Sequence, residues 1–324
     1  MKFKVFVAAL VFLSMSTTMA GAEIRLTSES LAQEVADAAQ QKVVGAVLPP
    51  LETVLSSPPG TYTASNSLPK SCSARYNVAL IASPKPCTLG DATSATTVVL
   101  VGSSHAGMWS RALGKVALDN HIALKTFIYT SCVPLILPTP VQAFQPDDPK
   151  ISPTTCATWN VRVGKAIDAL RPAAVIIGSG TEFDISGEAY SQWVAGLTAF
   201  VDSIHASRKY ILGSSPRVTT PGEVARCLLN NQTNPTNCAT RVDLRRLLDP
   251  TTALLRADRV VAKTTGAELL DVTPLLCAPK STGSTTLICP GVIDGRLVYV
   301  NGSHLTLGFT NHVQSVFQSV MARV

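Results

Sequence analysis

Two short stretches hold the residues best suited to chemistry. "TTVVLVGSSHAGMW" (96–109) runs β-branched residues into Gly102, Ser103, Ser104 and His105. "YVNGSHLTLGF" (299–309) sets Asn301, Ser303 and His304 in a glycine-containing loop ahead of a helical pattern. A serine hydroxyl attacks poorly at neutral pH unless an imidazole takes its proton. That imidazole in turn needs a partner on its other ring nitrogen. Of the five histidines, His304 alone has this loop setting. His205 falls late in an amphipathic pattern, His312 inside the last helical stretch and His121 on a turn beside Asn120. His105 adjoins Ser104, and neighbouring side chains on a tight turn point apart. Taken alone, Ser104 reads more readily as the N-cap of a helix, where serine is strongly preferred.

The elements that would carry these residues alternate. Short buried-strand runs are expected at 96–102, 124–130, 173–180, 209–215 and 267–273. Helical patterns lie between them, at about 106–119, 156–171, 190–206 and 240–264, and a last helix closes the chain. Alternation of this kind predicts an α/β fold with a parallel sheet, doubly wound by right-handed crossovers. The reactive crevice of such a sheet lies at the carboxyl ends of its strands. "GSSH", "YTSC" and "GSGTEF" each end a strand there, and "VNGSHLT" can reach the same edge.

The N-terminal region has a different character. Lys2 and Lys4, the apolar run "VFVAALVFL" and the small residues Ala20 and Ala22 predict a signal peptide, residues 1–22, cleaved before Glu23. The competing reading is an uncleaved membrane anchor. Residues 23–70 are expected to form a helix, capped by Ser28 or Ser30, and a Pro/Ser-rich extended connector, with the main domain over 71–324. Eight cysteines (Cys72, Cys87, Cys132, Cys156, Cys227, Cys238, Cys277 and Cys289) suit disulfides in an exported chain. Short loops favour sequential pairing: 72–87, 132–156, 227–238 and 277–289. With neither a Cys-x-x-Cys nor a histidine at ligand spacing to a cysteine, the pattern predicts no metal, and no cofactor is expected. Loss of Lys2 and Lys4 lowers the formal charge from +6 to +4. No Lys/Arg cluster stands out, so nucleic acid is excluded as a partner. A dinucleotide site is disfavoured, because no Gly-x-Gly-x-x-Gly follows the first strand.

"VVLVGSSHAGMW" resembles the first block of the SGNH (GDSL-like) hydrolase superfamily, and "YVNGSHLTLGFTNHV" resembles its last. "CSARYNVALIASPKPCTLGD", "YTSCVP" and "CATWNVRVGKAIDALRPAAVII" are similar to the branch associated with acyltransferase-3 membrane proteins. The resemblance covers roughly residues 40–324. It implies a three-layer α/β/α sandwich with a mainly parallel, flavodoxin-like sheet. It also implies an exported O-acyltransferase or esterase, periplasmic or in the cell envelope, acting on the acyl groups of a glycan or polysaccharide. A separate acyltransferase-3 membrane protein would be the acyl donor. Ser104 matches the nucleophile and His304 its base, with the Ser104 amide as an oxyanion donor.

Three positions depart from the family pattern. Ser103 replaces the Asp before the nucleophile. Asn301 replaces the Asp three residues before the histidine. Gly180, in "GSGT", replaces the oxyanion asparagine, as often happens in this branch. Asn301 supports the alternative of a catalytically weak, carbohydrate-binding domain, because a neutral amide cannot stabilise an imidazolium as a carboxylate does. Asp294, in "VIDGRLVY", reads as a turn residue and, less simply, as a substitute carboxylate.

Overall fold

The computed structural model describes residues 22–139, 152–180, 185–218, 224–245 and 250–324. The residues expected to form the signal peptide therefore lie almost wholly outside it, as do Thr181–Phe183 of "GSGTEF".

A seven-stranded sheet organises the chain, in the order β1-β8-β6-β5-β3-β4-β2. Its strands are β1 (Glu23–Arg25), β2 (Cys87–Gly90), β3 (Thr97–Gly102), β4 (Ala123–Ile128), β5 (Ala174–Gly178), β6 (Arg208–Leu212) and β8 (Glu268–Asp271). All pairings are parallel except β2 with β4. The five inner strands follow the flavodoxin-like order, with β3 at the point where the winding reverses. β3 reads "TVVLVG" with five of its six residues buried, as a strand covered on both faces must be.

The pleat divides the core into two. Val98 and Leu100 face a cluster that includes Trp109, Leu113, Phe309 and Phe317. Val99 and Val101 face the opposite cluster, with Trp159, Trp193 and Phe200. The first layer contains α1 (Glu29–Ala39), the short α4 (Ser104–Gly107), α5 (Ser110–Asp119), α11 (Leu307–His312) and α12 (Gln318–Met321). The second contains α6 (Pro153–Leu170), α7 (Glu188–Asp202) and α9 (Pro250–Thr265). The ends of α6 are written in its sequence. Ser152 and Thr155 form a capping box, Pro153 opens the helix, and Arg171 closes it at φ 46°.

Smaller elements complete the fold: α2 (Leu51–Ser56), α3 (Ala79–Ala82), α8 (Val224–Asn230) and α10 (Thr273–Leu276). β7 (Thr240–Asp243), β10 (Thr286–Cys289) and β9 (Ala278–Pro279) form a small antiparallel sheet, and β11 (Val292–Ile293) pairs with β12 (Arg296–Leu297). β7 corrects the helix expected from residue 240. Thr240 and Val242 are buried while Arg241 is exposed, a period of two, and the helix itself starts at Pro250. The first helix starts at one of its two expected caps. Glu23–Arg25 extend the sheet beside β8, and Ser28 caps α1 by accepting from the Leu31 amide.

All four sequential disulfides are present: Cys72–Cys87, Cys132–Cys156, Cys227–Cys238 and Cys277–Cys289. Two of them brace the carboxyl edge of the sheet. Cys132–Cys156 ties the loop after β4 to the first turn of α6. There the buried Asn160 donates to the carbonyls of Val133 and Leu135, both at 2.8 Å. Cys72–Cys87 ties the segment before β2 to the start of that strand. No described helix is long and apolar enough to cross a membrane.

Candidate active site

Ser104 sits just beyond the carboxyl end of β3, where two glycines let the chain turn. Gly102 adopts φ +148°, and a Cβ there would meet the Gly178 carbonyl oxygen at 2.2 Å. The helix cap is Ser103: its hydroxyl accepts from the His105 amide at 3.2 Å and donates to the Gly180 carbonyl at 3.0 Å. Capping is therefore done by the neighbour, and the Ser104 side chain points elsewhere. Its Oγ lies 2.9 Å from His304 Nε2.

The His304 segment is held from three sides. Within its own loop the Val300 amide bonds to the His304 carbonyl. From the segment ahead of the main domain, Ala64 N–H donates to the Leu305 carbonyl and Thr63 bridges Thr306. From the end of β6, Val218 N–H donates to the Gly302 carbonyl at 2.7 Å and the Ser215 hydroxyl to that of Ser303 at 3.3 Å. Thr306 then caps α11 by accepting from the Phe309 amide.

Asn301 lies on the other side of the ring. Its Oδ1 accepts from the backbone N–H groups of Ser303 (3.1 Å) and His304 (2.9 Å), and lies 3.1 Å from His304 Nδ1. Two backbone donors fix which end of the amide faces the ring, because a flipped Asn301 would aim N–H at N–H. An oxygen in that place demands a proton on Nδ1. Nε2 is then left with its lone pair toward Ser104. Ser104, His304 and Asn301 thus form one hydrogen-bonded line, in the tautomer a general base requires.

Three of the other histidines are paired with carboxylates away from this line. His205 Nδ1 lies 2.9 Å from Asp168, His121 Nδ1 3.5 Å from Asp91, and His312 Nε2 2.7 Å from Glu34. Asp294 occupies the β11–β12 turn at φ 44°, pairs with Arg296 and lies 3.9 Å from His312. It is a turn residue, and the group at His304 Nδ1 is Asn301.

A family model described as "SGNH domain (fused to AT3 domains)" matches residues 71–319. The chain belongs to this family. No curated protein matches it. A solved structure, that of the Salmonella ser. Paratyphi A lipopolysaccharide acetyltransferase periplasmic domain, is similar at 14% identity and a TM-score of 0.50. The match covers 70% of this chain and 83% of that one. At that identity it speaks for the fold alone.

Within this SGNH domain the departure at Gly180 has a packing cause. A Cβ there would lie 2.8 Å from His105 Nδ1 and 2.9 Å from its Cγ. The buried His105 ring fills the space of any side chain at 180, including the asparagine of the usual block. It also lies against His304, centroids 4.8 Å apart and the rings tilted by 37°, with Nε2 3.4 Å from Ser303 Oγ. Gly180→Ala is expected to push His105 against His304. The protein should lose about 1–3 kcal/mol of stability as an overpacked core does, and a thermal melt beside an esterase assay checks both effects.

Sequence reading missed Asp258. It is fully buried on α9, accepts from the Ser179 hydroxyl at 2.7 Å and from the Ser214 amide at 2.8 Å, and so clamps the ends of β5 and β6. Its signal was an acid between Ala257 and Val261 on the apolar stripe of the helix. Burial raises its carboxyl above the ordinary 3.8, against the lowering effect of the two hydrogen bonds. Below 3.8 the folded and unfolded states both hold the proton. Between there and the folded value only the folded state does, so stability falls as pH rises. Asp258→Asn cannot ionise, can still accept from Ser214 and can donate to Ser179. Its melting temperature relative to wild type is expected to improve as pH rises above about 4 and to level off once Asp258 of the wild type ionises in the folded state.

Proposed function

We propose that this protein is a serine-dependent O-acyltransferase or esterase that acts on acyl groups of a cell-envelope glycan. The observation carrying this reading is the line Ser104–His304–Asn301, with Nε2 at 2.9 Å from the hydroxyl. Family membership supports it. So does the fold shared with a lipopolysaccharide acetyltransferase domain, as far as a fold can.

In the first half-reaction His304 Nε2 takes the Ser104 proton as Oγ bonds to the acyl carbonyl carbon. The oxyanion is met by backbone N–H groups at the strand ends, those of Ser104 and Gly180. The tetrahedral species collapses, the C–O bond to the donor alcohol breaks, and His304 returns the proton to that leaving oxygen. In the second half the acceptor, a sugar hydroxyl or water, gives its proton to His304 and attacks the acyl-Ser104 carbon. Ser104 leaves with the proton restored. No metal or cofactor enters this scheme. The four disulfides fit an exported protein. Delivery of an acyl donor across the membrane would fall to a separate acyltransferase-3 protein.

Release of p-nitrophenol from p-nitrophenyl acetate tests the reading, with Ser104→Ala as control. Equal rates for the two proteins would favour the second reading, a glycan-binding domain that keeps the fold, which Asn301 in place of an acid would suit.

A further inference from the structure

Asn301 and His304 are carried by a tight hairpin. The Thr306 amide donates to the Val298 carbonyl and the Val300 amide to that of His304, both at 2.9 Å, with Tyr299 opposite Leu305. Backbone groups alternate in direction along an extended limb. The returning limb therefore turns the Leu305 carbonyl and the Leu307 amide the other way. Both are taken by residues ahead of position 71, where the family match begins. The Ala64 amide donates to the Leu305 carbonyl and the Leu307 amide to the Tyr62 carbonyl, both at 3.0 Å, and Thr63 lies antiparallel to Thr306. The segment is a third strand laid against the hairpin. Thr63, Ala64, Leu305 and Thr306 are all buried, where an unpaired backbone group is costly.

The same segment reaches the helix of the nucleophile. After Thr63 the chain makes a single 3₁₀ turn, Ala64–Ser67. This turn packs on α4, whose first residue is Ser104: a Cβ on Gly107 would lie 3.7 Å from Ser65 Cβ. Arg111 of α5 anchors the far end of the turn, its Nε and Nη2 donating to the Ser67 carbonyl at 3.3 and 2.9 Å. Asn66 braces the segment internally, its side-chain amide donating to the Gly60 carbonyl at 3.0 Å. One short stretch thus bonds the limb that follows His304 and lies against the helix that begins with Ser104. The hydrogen bond between those two side chains joins residues 200 apart in sequence. A misplacement of about 1 Å in such a pair can cost about 10²-fold in rate.

We propose that residues 62–67 are a positioning strap that sets the distance between Ser104 and His304. Tyr62 and Ala64 hold the histidine limb through their backbone groups, Ser65 seats the strap on α4, and Arg111 fixes its end. The assignment rests on the acyl-transfer reading of Ser104 and His304.

Two variants of the full chain loosen the strap at its two ends. Arg111→Ala removes both bonds to the Ser67 carbonyl from an exposed side chain, and Arg111→Lys can restore one. Ala64→Pro deletes the amide that meets Leu305. Thr63, at ψ 124°, already has the extended backbone that precedes a proline, and Ala64 opens its turn, where proline is tolerated. With p-nitrophenyl acetate, Ala64→Pro is expected to lower kcat about tenfold and Arg111→Ala about fivefold, with KM within about twofold of wild type, because the strap acts on reacting geometry and not on substrate binding. Arg111→Lys should recover most of the loss. In a His304→Ala background the same substitutions should change nothing further, since the group they position is gone. Amide hydrogen exchange over residues 298–307 should quicken in both variants, while Arg111→Ala melts within about 2 °C of wild type. Wild-type kcat with unchanged exchange, or an equal loss with and without His304, overturns the proposal. Ser104→Ala answers separately for the serine chemistry: if it turns over the ester as fast as wild type, that reading fails, and exchange over 298–307 still reports whether the strap holds the limb.

Discussion

Replacing Ser104 by alanine is expected to lower turnover of p-nitrophenyl acetate by roughly 10⁴-fold or more, with KM little changed. The size follows from the division of labour in such sites. Loss of the nucleophile removes the covalent route altogether, and what remains, binding and oxyanion stabilisation, supplies only about 10³–10⁴ over water. His304→Ala should fall to nearly the same floor, and the double variant no further, since a nucleophile and its base act as one unit. The local structure makes the serine variant a clean test. The helix cap is provided by the Ser103 hydroxyl, and Ser104 lends only its side chain to His304. Ser104→Ala should therefore melt with the wild type, while Ser103→Ala should melt about 1 kcal/mol lower, the usual worth of a cap. Intact-mass spectrometry of wild type mixed with the acetyl ester should show an adduct on Ser104, absent from the alanine variant. Equal rates for wild type and Ser104→Ala would remove the covalent mechanism.

How far the sequence disclosed this arrangement depends on length and period. β3, β5 and β6 were legible because buried parallel strands are β-branched runs between helices. β1, at three residues, and β2, at four, are too short to carry a period, and both lie on sheet edges where half-exposure blurs it. Residues 240–243 were absorbed into the following helix because four residues of alternation preceded a longer helical pattern. The disulfides were legible because each closes a loop of 11–24 residues, where chain entropy favours neighbours. At the site, Ser104, His304 and Asn301 were nameable from two short blocks, whereas the division of roles between Ser103 and Ser104 was not. Two adjacent serines at a strand end are equivalent as letters. Only the backbone direction tells which hydroxyl turns back to the helix. Asp258 was hidden for a different reason: an acid on an apolar stripe is legible only once Ser179 and the Ser214 amide, 79 and 44 residues away, are brought to it.

Asn301→Asp is expected to raise kcat/KM about tenfold and to move the acid limb of its pH profile upward by about one unit. A carboxylate at that position keeps all three acceptor contacts, to the amides of Ser303 and His304 and to Nδ1, and adds a negative charge beside the ring. The charge favours the imidazolium form of the ring. The base works only when neutral, so activity is lost at a higher pH than in wild type. On the plateau above the limb, the imidazolium formed in the transition state is better stabilised and the rate is higher. One unit corresponds to about 1.4 kcal/mol, close to tenfold. In a serine protease the reverse exchange, acid to amide, costs roughly 10⁴, because the amide selects the wrong tautomer. That penalty is avoided here: two backbone N–H groups hold Oδ1 toward the ring, leaving only the missing charge to recover. The same reasoning sets the effect of Asn301→Ala at about 10²-fold, larger than the gain from the acid, because it frees the tautomer and the loop together. An Asn301→Asp variant with an unmoved acid limb would mean that the orientation of His304 is set by a different group.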